Sequence, residues 1–112
     1  MNKELLKGST EMIILKLLEK EDLYGYMMIK RLDEKSQNIF DLKVGTLYPV
    51  LHNLEKEQLI ESYWEDSLSS RKRKFYKITN KGIKVLKQKR EEWNTYAKGI
   101  NNLFMEVKNI NA

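Results

Sequence analysis

Apolar residues near the start of the chain do not keep to one helical face. At about 100° per residue, Met12, Ile13, Ile14, Leu15, Leu17 and Leu18 point in nearly all directions around a helix beginning at Asn2 or Ser9 and ending at Lys20. A helix apolar most of the way round is buried on more than one side. One side packs on its own domain and the other calls for a second surface, a first sign of a dimer. After a break at residues 21–23, a second helix is predicted over residues 24–36, with Gly25, Met28, Ile29 and Leu32 facing inward. Gly25 fits a close approach between helices or a simple turn. Residues 39–42 alternate briefly, as in a short strand.

A third helix is predicted from Gly45 or Thr46 to Glu57. Thr46 is its candidate N-cap, with Pro49 in the first turn, where a missing N–H costs least. Leu47, Val50, Leu51 and Leu54 form the i, i+3, i+4, i+7 stripe that seeks a core. The opposite face carries Tyr48, Pro49, His52, Asn53 and Lys56, few charges and several hydrogen-bonding groups. Residues 59–65 and 71–79 are rich in strand formers and flank a polar loop, which predicts a hairpin.

The last segment opens at Thr79 or Asn80 and continues helically to about Val107. Leu86, Trp93, Ile100 and Val107 recur every seven residues, and Tyr96, Ala97, Leu103 and Phe104 fill the half-way positions. Lys89 and Arg90 leave one gap in that seam. A seven-residue repeat on a protruding helix asks for a partner helix, although such a stripe can also cover its own head domain. Two units follow: a head over residues 1–79 and a helix over residues 80–112.

At 112 residues the chain has room for one domain, and 41% apolar with 33% charged residues suits a globular protein. The longest apolar run covers residues 12–15, far short of a bilayer span, and no signal-peptide core follows the N-terminus. Cysteine is absent and His52 is the one histidine, which excludes thiolate zinc sites, multi-histidine cages and cysteine nucleophiles. No glycine-rich phosphate loop or spaced carboxylate cluster is present, and Glu61, Glu65 and Asp66 read as a solvated strand face. The expectation is a cytoplasmic protein with no enzymatic activity, cofactor or metal.

Charge changes that picture more than composition does. The net charge is +5, yet residues 71–90 carry ten basic and no acidic side chains, while residues 41–70 carry two basic and six acidic. Such a stretch is either a solvated lysine-rich surface or a local field that attracts a polyanion. Two of the four arginines, Arg71 and Arg73, fall in the run from Arg71 to Lys74, where bidentate pairing with phosphate is available.

Three helices, a hairpin and a long helix form the layout of a winged helix-turn-helix head with a dimerisation helix, mainly α with a small β-hairpin. Residues 23–26 (Leu-Tyr-Gly-Tyr), residues 45–51 (Gly-Thr-Leu-Tyr-Pro-Val-Leu) running on to residues 54–56 (Leu-Glu-Lys), and residues 71–79 followed by Lys81-Gly82 carry a more specific likeness. With these motifs the chain resembles the PadR-type transcriptional regulators, and its single C-terminal helix is similar to their short subfamily. The resemblance implies a dimeric repressor whose first and last helices form the interface, with an effector that is a phenolic acid or a flat aromatic drug in some members. Gln58 departs from the family by standing where a glycine commonly ends the third helix, in a left-handed position strained for other residues. Ser70 and Asp22-Leu23 are further departures, in loops.

On this reading the third helix enters a major groove and the hairpin meets phosphates or the minor groove. The expected DNA contacts are His52 and Asn53 at base edges, with Pro49 and Lys56 on the same face. Thr46 and Tyr48 are expected at phosphate or sugar, with capping and packing as their other use, and Arg71, Lys72, Arg73 and Lys74 on the wing. The expected dimer interface comprises Ile13, Leu17, Leu86, Trp93, Ala97, Ile100, Leu103, Phe104 and Val107. Trp93 with Ala97 and Ile100 either clamps a planar aromatic ligand across the two-fold seam or packs as core. Two other functions share these features: a winged-helix module binding an acidic protein, and a sequence-independent architectural DNA binder.

Overall fold

Leu47, Leu51 and Leu54 are wholly buried, and the helix that carries them is the centre around which the other elements pack. The structure, a computed structural model, describes residues 3–66 and 71–106. The described elements are α1 (Lys3–Lys20), β1 (Leu23–Tyr24), α2 (Gly25–Lys35), α3 (Val44–Lys56), β2 (Ile60–Asp66), β3 (Lys72–Ile78) and α4 (Asn80–Phe104). Ile14, Leu15 and Leu18 of α1, Met28 of α2, Ile60 and Tyr76 of the sheet and Leu86 of α4 close the core around α3. Winged helix-turn-helix head and long last helix thus follow the expected order.

The sheet is antiparallel with strand order β1-β3-β2. It has one strand more than the expected hairpin, because Leu23 pairs with Tyr76 and Tyr24 with Phe75. Residues 39–42, read as a short strand, instead form an unpaired connection that adds Leu42 and part of Phe40 to the core.

Helix α3 starts earlier than expected. Its N-cap is Lys43, with no side-chain cap, and Thr46 is the third helical residue, its N–H bonded to the Lys43 carbonyl at 3.0 Å. Thr46 is therefore not the cap. Pro49 lies inside the helix rather than in its first turn, and its missing N–H falls opposite the carbonyl of Gly45, at the exposed start of the helix.

The other end of α3 closes on Gln58, at φ 63°. Leu59 N–H reaches the Leu54 carbonyl at 2.9 Å and Gln58 N–H the Glu55 carbonyl at 3.0 Å, the double bond of a left-handed helix stop. A non-glycine residue here carries left-handed strain of about 1–2 kcal/mol. The same turn receives the start of α4, where Thr79 caps Gly82 N–H at 3.0 Å.

The far part of α4 runs past the head, which stretches the molecule to 72 × 28 × 21 Å. Val107, the last expected seam residue, lies outside the described residues.

Relief of the strain at Gln58 is measurable. Gln58→Gly is expected to raise unfolding stability by about 0.5–1 kcal/mol, the left-handed relief less the extra freedom glycine gives the unfolded chain. A urea midpoint that does not rise would mean the turn holds no strain.

Candidate nucleic-acid interface

The face of α3 opposite its buried leucines exposes Tyr48, Pro49, His52, Asn53 and Lys56 together, as the spacing predicted, and Thr46 is exposed beside them. Two contacts decide how that face is held. The hydroxyl of Tyr48 rests on Gly25, where an added Cβ would stand 2.5 Å from Tyr48 Oη and 2.9 Å from Cζ. Gly25 therefore marks a close approach, to a ring of α3. Asn53 Nδ2 donates to Glu11 Oε1 of α1 at 3.1 Å, and Glu11 Oε2 meets Lys89 Nζ of α4 at 3.2 Å. One amide proton of Asn53 is thus engaged within the subunit, while the exposed amide keeps a second donor and an acceptor. Lys89, the gap in the heptad seam, points at α1.

The wing is bolted to the head by aromatic rings. Tyr63 stacks on Phe75 with centroids 5.7 Å apart, and Phe75 meets Tyr24 edge-on at 5.4 Å. Tyr63 Oη donates to Asp22 Oδ2 at 2.7 Å. That bond, with some burial and the charges of Asp22 and Glu65, pushes the phenol up to about 12. The Arg73 guanidinium lies 4.5 Å above the Tyr24 ring and Lys74 Nζ lies 5.5 Å from the Tyr76 ring. Lys74 also approaches Glu55 Oε1 at 3.8 Å, whose other oxygen accepts from Ser62 Oγ.

Register redistributes the charge that the linear chain concentrates. Glu61 lies opposite Lys77, Glu65 opposite Arg73 and Asp66 opposite Lys72, while Lys74 lies opposite Trp64. Three carboxylates on β2 thus face β3, which carries four cations. The acidic stretch and part of the basic one are a single object in three dimensions, so the wing's own field is smaller than the run of residues 71–90 suggests. Arg71 precedes β3 and is exposed.

A cleft of about 450 Å³ joins the two halves of the interface. Tyr48 of α3, Gly25 and Tyr26 of α2, and Arg71 to Lys74 of the wing all line it.

The expected dimer and effector residues separate into two groups. Leu17 and Leu86, each 5% exposed, belong to the subunit's own core, so they are corrected from seam to core: α1 and α4 already pack on each other through them. Ile13 and Ala97 are half-buried, Trp93 is 47% exposed, and Ile100, Leu103 and Phe104 are exposed, Phe104 by 85%. Trp93 sits at the mouth of a groove of about 730 Å³ between α1, α2 and α4, which Met12, Ile13, Phe40 and Ile83 also line. Ala97 and Ile100 are not among the described residues lining that groove. Among the described residues, no group of three or more metal-ligating side chains comes together. No described helix is long and apolar enough to cross a membrane.

Residues 14–88 match the transcriptional regulator PadR-like family. An uncharacterized protein of Lysinibacillus sphaericus is 38% identical over 103 residues, 92% of this chain and 94% of that one. A solved transcriptional regulator from Clostridium thermocellum is similar in structure with a TM-score of 0.85 at 37% identity, covering 95% of this chain and 99% of that one. A PadR-like transcriptional regulator from Bacillus cereus reaches 0.80 at 32% identity, covering 94% of this chain and 100% of that one.

The Tyr63–Asp22 bond carries a prediction in pH. The fold raises the Tyr63 pKa from 10.0 to about 12, so it favours the protonated phenol. Its stabilising contribution is whole below pH 10 and is lost as pH rises toward 12. Asp22→Asn is expected to bring the Tyr63 midpoint down toward 10.0, followed by NMR of the ring protons. An unmoved midpoint would remove Asp22 as the cause.

Proposed function

Because the chain belongs to the PadR-like family of transcriptional regulators, we propose that it acts in the cytoplasm as a dimeric repressor of a pseudo-palindromic operator. One observation carries the reading: a single cleft is lined both by Tyr48 of α3 and by the cations of the wing. A duplex seated there meets hydrogen-bonding groups for its major groove and positive charge for its backbone in one approach. Each subunit places α3 in one groove, and two-fold symmetry sets the half-sites about one helical turn apart.

Dimerisation follows from the far half of α4. Trp93, Tyr96, Ile100, Leu103 and Phe104 form an exposed apolar stripe longer than a monomer ordinarily leaves in water. A second copy with the same stripe satisfies it in antiparallel or crossed packing. Effector control belongs to the groove at Trp93, whose apolar walls and basic rim at Lys35, Lys87 and Arg90 suit a planar aromatic molecule, anionic or neutral. An effector there changes DNA affinity only by binding the free and operator-bound arrangements differently.

Two measurements test the regulator and a third tests the effector. Sedimentation at micromolar concentration is expected to give a dimer, and a solitary subunit would overturn the two-fold operator. Neutralising Arg71, Lys72, Arg73 and Lys74 together is expected to weaken binding to every duplex. It should also flatten the dependence of log affinity on log salt by roughly 0.9 for each phosphate left without its cation; an unchanged slope removes the wing from the interface. Titrating planar aromatics into DNA-free Trp64→Phe protein is expected to quench Trp93 emission, and silence across a broad panel would leave Trp93 as packing alone.

A further inference from the structure

The sheet sorts its side chains by alternation, and the result leaves Trp64 unexplained. Along β2, Glu61, Tyr63 and Glu65 share one face while Ile60, Ser62 and Trp64 share the other. The first face holds the aromatic bolt and two of the strand's carboxylates. The second runs from the core at Ile60, 1% exposed, out to Trp64, 64% exposed. A single exposed ring is ordinary on a protein surface, so what Trp64 does is decided by its neighbours.

Trp64 forms one wall of the cleft that Tyr48 and the wing cations share, with Tyr24, Tyr26 and Tyr76 also lining it. None of the described residues lining it is acidic, although β2 carries three carboxylates. The opposite wall is held firmly, because Tyr48 lies where Gly25 leaves no space for a Cβ. Trp64 is held too, since it lies in the paired part of the hairpin opposite Lys74. The cleft therefore brings rings and cationic groups together at one surface. The backbone of a duplex offers the complement of both, anionic phosphates with the less polar faces of the sugars between them.

We propose that this cleft seats one sugar–phosphate strand of the duplex and that Trp64 packs its ring on a sugar face as that strand passes the wing. The inference rests on the DNA-binding reading and assigns it a residue whose contribution is packing and carries no charge. Its signature therefore differs from that of the lysines. Loss of the ring weakens binding without releasing fewer counterions, so the salt slope stays as it was.

The test uses the full-length protein and a labelled random-sequence duplex, because a backbone contact does not need the operator. Anisotropy at low salt is expected to show Trp64→Ala binding several-fold more weakly, with the salt slope of the wild type. Trp64→Phe should recover most of the affinity, because a smaller ring still packs. The Lys72→Ala/Lys74→Ala variant should flatten the slope instead. Emission present in the wild type and absent from Trp64→Phe should lose acrylamide accessibility when duplex is added. Undiminished affinity in Trp64→Ala, or an unchanged accessibility, would overturn the proposal while leaving the DNA-binding reading intact. Wild-type protein indifferent to every duplex would overturn that reading itself. Competition by a polyglutamate peptide as strong as by duplex would assign the cleft to an acidic protein and overturn both.

Discussion

Three elements that must keep fixed relative positions meet at one turn, where α3 ends, β2 begins and α4 starts. Thr79 shares its hydroxyl proton between the carbonyls of Gln58, at 2.8 Å, and Leu59, at 3.1 Å, and its own N–H reaches Leu59 at 3.0 Å. The same oxygen accepts from Gly82 N–H. Gly82 presses so closely that a Cβ there would lie 2.1 Å from the Leu59 carbonyl oxygen and 2.7 Å from Ile78 Cγ1. No side chain fits against a backbone atom at that distance, so the crossing of α4 over the sheet has one geometry. Lys81 adds a hydrogen bond of 3.0 Å to the Glu57 carbonyl, on the negative end of α3. The direction in which α4 leaves the head is set here, and with it the spacing of the two heads in the proposed dimer.

The wing illustrates how register converts composition into surface. Cross-strand pairs of opposite charge contribute only about 0.2–1 kcal/mol each, little beside the core. Nor do they decide between registers: after a slip of one residue Glu65 would still face a cation, Lys74 or Lys72 in place of Arg73, and only the Glu61–Lys77 pair would be lost. The same slip would carry Trp64 to the face of Phe75 and turn Tyr63 away from Asp22. The aromatic bolt therefore fixes the register, and that register delivers Trp64, Lys74 and Tyr76 to the cleft.

Periodicity made the helices and the hairpin legible, because each is long enough for its apolar stripe to repeat. What was missed has a common cause: it depends on residues far apart in the chain. Leu23-Tyr24 is too short to show any period and becomes a strand only because Tyr76 and Phe75 lie beside it. Thr46 has the right chemistry for a cap, but the helix gains its first bonds earlier, through Lys43. Asn53 read as a free polar group because its partner, Glu11, is distant in sequence. Lys89 looked like a flaw in the seam for the same reason. Gln58 was read correctly through the family likeness, in which a glycine commonly ends the third helix, so a strained left-handed residue was expected there. The wing's cations were legible as a group, whereas the carboxylates facing them were not, since register does not follow from charge.

A route from α4 to the exposed face of α3 runs through Glu11, which touches Lys89 on one helix and Asn53 on the other. Its magnitude argues against it as a transmitter. Both ion-pair partners are about one-third exposed, and pairs of that kind are worth at most about 1 kcal/mol. Coupling between sites usually needs about 1–3 kcal/mol, and a screened contact that can be exchanged for water supplies too little. The junction at Thr79 and Gly82 differs in kind, because its hydrogen bonds are partly buried and its backbone contact cannot be relaxed by rotating a side chain. A ligand that tilts α4 must therefore carry the end of α3 and the base of the wing with it. Head and helix behave as one lever, so in the proposed dimer a change in operator fit arises between the two copies rather than within one.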